Sequence, residues 1–424
     1  MTNPETSSIP IDAQQRRSWK ISRGWSIVWV SFFTTAFVSG GSQYGFGLFV
    51  KPLEDAFGWS RTEINVSLSI GLISGLLAPV VGVVIDKYGT RKLVVASLLT
   101  VAAAFFVRVA MTELWHWYLS SALLAIGMPG TFQPVGKLIG TWFPRTRGRM
   151  MGTAITGNNV FGLVGAPTLT LVIATQGWRF AYGIIATGLV IVAIAAWMVI
   201  RDRPQGADLL SKHLQGGAQV PPEQRDFTLK EALSGRTFWL LLLGVTCAGF
   251  SYPSFMTQLI PHLEAEGWGS SKAALGLTVL AGTALASKIT WGWLSEKLSA
   301  QVSFVIAITI MAVGVGLVIL AGGSNLTFAA IFFFGSGFGG IGPLMSLVIL
   351  EAFGLKYYGT IQGVVTLVLA TVPVLIGPIL AGQIYDATHS YVISFWIAAG
   401  IFAAGGLLVG VAGRPERELS PSAK

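Results

Sequence analysis

Twelve apolar stretches run the length of this chain: 25–50, 63–85, 93–112, 117–142, 150–174, 178–200, 237–262, 272–295, 302–322, 326–350, 360–384 and 390–412. Each is long enough to cross a bilayer core, which takes about 20 helical residues for about 30 Å of hydrocarbon. In lipid every backbone N–H and C=O must be paired within the protein, so such a chain folds as a bundle of spanning helices. Composition agrees. Of the 424 residues, 53% are hydrophobic and 11% charged, against about 25% charged in a typical soluble domain. The 52 glycines suit helices that approach one another closely in lipid. A single cysteine, Cys247, leaves no intramolecular disulfide and no Cys-based metal site. No metal and no cofactor is expected.

The first 20 residues are polar, so no cleavable signal peptide is expected before the first span. An even number of spans puts both termini on one side. That side collects most of the Lys and Arg, including Lys87, Arg91, Lys92, Arg145, Arg147 and Arg149, whereas the opposite loops carry only Lys51, Arg61, Arg179 and Lys272. The positive-inside rule therefore places both termini in the cytoplasm. The net charge of +9 reads as a topology signal, with a lipid bilayer and no nucleic acid as partner.

The stretch 201–236 is the one long polar interruption between spans, with Pro204, Pro221 and Pro222. The expected organisation is a tail 1–24, a bundle 25–200, a linker 201–236, a bundle 237–412 and a tail 413–424. The halves echo each other at a nearly constant offset. Gly41-x-x-Tyr44-Gly45 recurs as Gly249-x-x-Tyr252-Pro253, Gly58-Trp59 as Gly267-Trp268, and Gly82-x-x-x-Asp86-Lys87 as Gly292-x-x-x-Glu296-Lys297. Six-span repeats with a substrate site between them describe one large class of carriers.

Between the second and third stretches, Gly82, Asp86, Lys87, Gly89, Arg91 and Lys92 stand in the run GVVIDKYGTRK. This run resembles the loop 2–3 signature of the major facilitator superfamily almost position for position. The resemblance implies an all-α integral membrane protein with twelve transmembrane helices in two pseudo-symmetric six-helix bundles. It also implies that the acid and bases of the run, with Glu296 in the second half, form a breakable latch. Within that superfamily the chain looks like the monocarboxylate transporters and the bacterial oxalate/formate exchangers. The stretches that carry this likeness are Tyr44 to Arg61, Phe132-Gln133-Pro134, Trp142 to Asn159, Gln176 to Arg179 and Gly377 to Asp386.

Arg108, Lys137 and Lys288 lie inside apolar stretches, and no acidic residue is expected with them. A cation at membrane depth costs about 3 kcal/mol on insertion scales, so such residues pair or line a pathway. The simplest missing partner is an anion that comes and goes. Lys137 and Lys288 each stand eight residues before a terminal-side charge, about 12 Å inside that boundary, farther than a lysine snorkels. Arg108 is close enough to the opposite end to snorkel toward Glu113 or the headgroups. Gln133 shares the helical face of Lys137 and suits a carboxylate oxygen. Tyr44 and Tyr252 occupy matching places in the two repeats, and Asn158 with Asn159 are costly polar residues in the fifth span. They serve either as substrate contacts or as helix-to-helix hydrogen bonds. His262 is a proton-relay candidate or an interfacial cap.

The chain departs from its relatives in two places. Proton-linked monocarboxylate transporters resemble one another in an acid and an arginine four apart in the eighth span, where this chain has Ala284 and Lys288. The span-one lysine of that group falls near Tyr44 and is absent. The oxalate-exchanger pattern of basic residues in spans eight and eleven is also incomplete, because 360–384 has none.

The expectation is a plasma-membrane secondary carrier (in a bacterium, of the inner membrane) for a small mono- or dicarboxylate. It would work by alternating access as a monomer, through anion exchange or proton symport. An efflux carrier for an uncharged or drug-like metabolite and a transporter-like ligand receptor are the alternatives. No Ser-His-Asp arrangement, metal cluster or P-loop points to an enzyme.

Overall fold

In the computed structural model the described residues are 23–203, 226–250, 255–388 and 390–413. Nine helices among them are long and apolar enough to cross a membrane: α2 (Arg61–Tyr88), α3 (Arg91–Ala110), α5 (Arg147–Gln176), α6 (Trp178–Val199), α8 (Ser270–Leu298), α9 (Ala300–Ala321), α10 (Leu326–Phe353), α11 (Tyr358–Thr388) and α12 (Val392–Val411). The remaining three expected spans are made of shorter pieces. The first, α1 (23–57), is widened by a π-helical turn at Ala36–Gly40. The fourth, α4 (114–142), changes register at Met128, where Pro129 opens the second piece because it has no N–H to continue the ladder. The seventh, α7, consists of Arg236–Gly249 and Thr257–Ala265.

The described parts of the twelve expected stretches thus fall largely on helices, and several helices run past the apolar limits. The chain 226–236 is more than a polar tether. Thr228 and Glu231 form a capping box on a short helix, Leu229–Ser234. Phe227 packs edge-on against Phe353 at 6.1 Å and donates its N–H to the Phe353 carbonyl.

Each half has its own aromatic core. Phe49 stacks on Tyr182 at 3.8 Å in the first, and Phe255 packs on Phe334 at 4.3 Å and Phe395 at 4.8 Å in the second. Between the halves the main crossings are α2 on α11 and α5 on α8. Both are built alike. A β-carbon on Gly82 would strike the Gly359 carbonyl, and one on Gly292 would strike the Gly148 carbonyl. One turn deeper, Gly363 meets the Ala78 carbonyl and Gly152 the Lys288 carbonyl. Where lipid supplies no hydrophobic drive between helices, such close backbone approach supplies van der Waals energy.

These crossings lie toward the end that carries the loop between α2 and α3, called the motif end below. Toward the other end, Gly41–Phe57 of α1 and Ala166–Gln176 of α5 find their principal packing partners within the first half. The molecule is closed at the motif end.

Candidate functional site

The closure is polar as well as steric. Asp86, at the end of α2, accepts the N–H of Gly359 (3.1 Å) and the N–H and hydroxyl of Thr360 (2.7 and 2.8 Å). A carboxylate so placed meets both the unpaired N–H groups and the positive pole of the α11 start. The same carboxylate receives the Lys137 ammonium at 2.6 Å. This corrects the expectation that Lys137 lacks a protein carboxylate and waits in a central cavity for an anion. Lys137 is the cation paired with the Asp86 carboxylate. The loop cations Lys87 and Lys92 are exposed, and Arg91 instead binds the Trp197 carbonyl and ring.

In the second half, Glu296 accepts the Arg149 N–H and the Arg149 side chain, both at 2.8 Å, in the first turn of α5. Arg147 reaches Glu351 at 2.9 Å, and Glu351 also accepts the Ala300 N–H. Gly89 turns the chain after α2 at φ +86°, a conformation that favours glycine, and Asp202 then caps Thr90 and Arg91. A cleft of about 850 Å³ opens beside Asp86 at the motif end, lined by Asp86, Lys87, Lys137, Asp202, Arg203 and Lys356 among others.

Lys288 is placed differently. It is 8% exposed. Its backbone carbonyl lies against Gly152, but its ammonium reaches the Ile155 carbonyl (3.4 Å) and the Asn159 side-chain oxygen. Those acceptors are one and two turns farther from the motif end, so the side chain points away from the nearer boundary and does not snorkel to it. Among the described residues no carboxylate pairs with it. At the matching position of the α2–α11 crossing stands the apolar Ala78, so at this depth, among the described residues, only the α5–α8 crossing carries a charge. Asn158, beside Asn159, keeps its side-chain oxygen buried and unpartnered, and the π-helical turn Phe161–Gly165 follows both. Such turns recur at functional positions in helices.

The other candidates separate. Arg108 does not snorkel. It is buried inside the first half, its guanidinium 4.2 Å from the Trp117 ring and 3.0 Å from the Ser120 hydroxyl. Gln133 is buried, and among the described residues neither of its amide atoms has a partner. His262 is buried edge-on to Phe395 at 4.8 Å, in the packing of α7 against α12 rather than at a surface cap. Tyr252 and the Tyr44 side chain lie outside the described residues. Sequence reading missed Gln362 of α11, a buried amide whose oxygen has no partner among the described residues. Its one signal was an isolated amide in an apolar span.

A family model described as Major Facilitator Superfamily matches residues 32–375. The chain belongs to the major facilitator superfamily. It is therefore a multi-pass integral membrane transporter, not an enzyme. As a superfamily member it is similar to human monocarboxylate transporter 11 (28% identity, over 91% of this chain and 82% of that one). It is also similar to rat monocarboxylate transporter 13 (27%, 91% and 88%). Among solved structures, the fucose:proton symporter of E. coli superposes with a TM-score of 0.73 at 15% identity, over 94% and 100% of the two chains. A proton:xylose symporter does so at 0.69 and 15%, over 92% and 95%. These two likenesses establish the fold.

Proposed function

We propose that this transporter carries a small organic carboxylate, with Lys288 as the group that receives it. The observation that carries the reading is the Lys288 ammonium, buried at the crossing of the two halves and held by neutral acceptors only. An amide oxygen and a carbonyl satisfy its hydrogen bonds without cancelling its charge. A carboxylate does both. Asn159 accepts from the lysine through its oxygen and keeps its NH₂ for the anion, and Asn158 adds a second amide beside it. The names of the curated relatives, monocarboxylate transporters, support the same cargo class.

The positive-inside distribution assigns the motif end to the cytoplasm. On that assignment the molecule is closed inside and open outside, and the carrier works in the plasma membrane by rocking its halves about the Lys288 crossing. Closing over an unneutralised cation is expensive, so the loaded carrier reorients faster than the empty one, which favours exchange over one-way flow.

The test is flux in proteoliposomes. Efflux of a labelled carboxylate accelerates several-fold when unlabelled carboxylate is added outside, and Lys288→Ala abolishes transport while the protein stays folded and inserted. Equal efflux with and without external anion sinks exchange. Undiminished transport by Lys288→Ala sinks the site.

A further inference from the structure

We infer that Gln133 and Gln362, buried amides on facing helices of the two halves, hold the closed motif end in check. The inference rests on the alternating-access reading above. Each side chain is 5% exposed. Neither amide atom of Gln133 has a partner among the described residues, and Gln362 makes only a long contact from its nitrogen to Thr366 (3.5 Å), leaving its oxygen unpaired.

Both belong to the α4–α11 contact. Gly136 and Gly140, three and seven residues after Gln133 on the same helical face, abut Tyr358 and the pair Leu350 and Leu355 in the second half. Gln362 stands four residues after Tyr358, on the face that meets Gly136. The two helices run antiparallel. Gln133 and Gln362 are therefore both about one turn deeper than the Gly136–Tyr358 contact, one in each half.

A buried amide without partners has lost its water and gained nothing in return. That loss exists only while the motif end is shut. When α4 and α11 part, water reaches both amides. The pair thus raises the free energy of the closed form relative to the open one and offsets part of the stabilisation from the Asp86 and Glu296 contacts. A carrier needs this balance, because a latch with no opposing cost holds one conformation.

Methionine has similar length and no hydrogen-bonding amide. The experiment places spin labels on cysteines at Lys87 and Lys356, exposed residues of opposite halves at the mouth of the closed end, in a Cys247→Ser background. Distances are measured by double electron–electron resonance in lipid nanodiscs without added substrate. In Gln133→Met/Gln362→Met the ratio of the short-distance to the long-distance population rises about tenfold, and melting temperature does not fall. An unchanged ratio, a shift toward the long distance, or a lower melting temperature overturns the inference.

Should the double variant fail to fold, each single variant is read the same way with a smaller rise. Two populations that ignore the substitutions defeat this inference alone. One distance common to every variant, with no second population, defeats the alternating-access reading as well.

Discussion

Asp86 of the first half and Glu296 of the second occupy matching positions of the repeat, and each accepts backbone hydrogen bonds from the first turn of a helix in the opposite half. Each acid adds a cation of its own: Lys137, from the same half as Asp86, and Arg149, from across the interface. Beside each acid one turn of glycine lets the backbones touch. The halves are therefore clasped twice by one device.

The Asp86 clasp is the more buried of the two ion pairs. Asp86→Asn leaves the Lys137 ammonium without its carboxylate, and breaking such a pair costs about 3 kcal/mol. The closed form loses that much, so a thiol at Leu138, which is buried in the closed form, becomes reactive and transport falls at least tenfold. Adding Lys137→Gln removes the orphaned charge and restores part of the closed population. Alkylation rates of the two variants check the coupling.

Gly82 and Gly292 make equivalent contacts, so they make equivalent predictions. Alanine at either position puts a β-carbon into the carbonyl of Gly359 or Gly148. The helices move apart by roughly an ångström, and overpacking of this kind costs about 1–3 kcal/mol. Each variant inserts normally but closes poorly at the motif end. The same alkylation assay reports it, and closure indistinguishable from the parent would show that the crossing has slack.

Asn159→Asp supplies Lys288 with a permanent counter-ion. The internal carboxylate competes with the substrate for the ammonium. The half-saturating concentration for anion uptake rises tenfold or more, whereas the melting temperature of the empty protein increases. Asn159→Leu removes the acceptor instead and lowers that melting temperature. Uptake and thermal melting of both variants separate a substrate site from a purely structural contact.

Arg108→Met keeps transport. The guanidinium is enclosed by Trp117, Phe105 and Tyr182 within the first half, so its place is in packing and cation–π contact, worth about 2 kcal/mol when desolvated. Methionine fills much of the same space. The expected change is a modest shift in melting temperature with an unaltered half-saturating concentration. A large loss of uptake in well-folded protein would return Arg108 to the transport pathway.

The spans and the glycine-to-acid spacing at the end of α2 were legible in the sequence because each is a local matter. Hydrocarbon thickness sets the length of an apolar stretch, and the glycine-to-acid spacing of Gly82 and Asp86 lies within one helix end. The partners were not legible. Lys137 and Lys288 looked alike on paper, both cations at similar depth with no acid nearby in their own spans. Their fates diverged through contacts far apart in the chain. Lys137 meets Asp86, and Lys288 meets Asn159.

Arg108 shows the same limit. Its closeness to the membrane edge suggested escape to water, but the rotation of α3 against α4 and α6 turned it inward onto aromatic rings. What the chain determined by itself is that it crosses the bilayer many times on apolar helices, since lipid enforces each segment separately. Which cation meets a carboxylate and which meets neutral acceptors was decided by tertiary structure alone. That outcome depends on which faces of separate helices meet, and no single span encodes it.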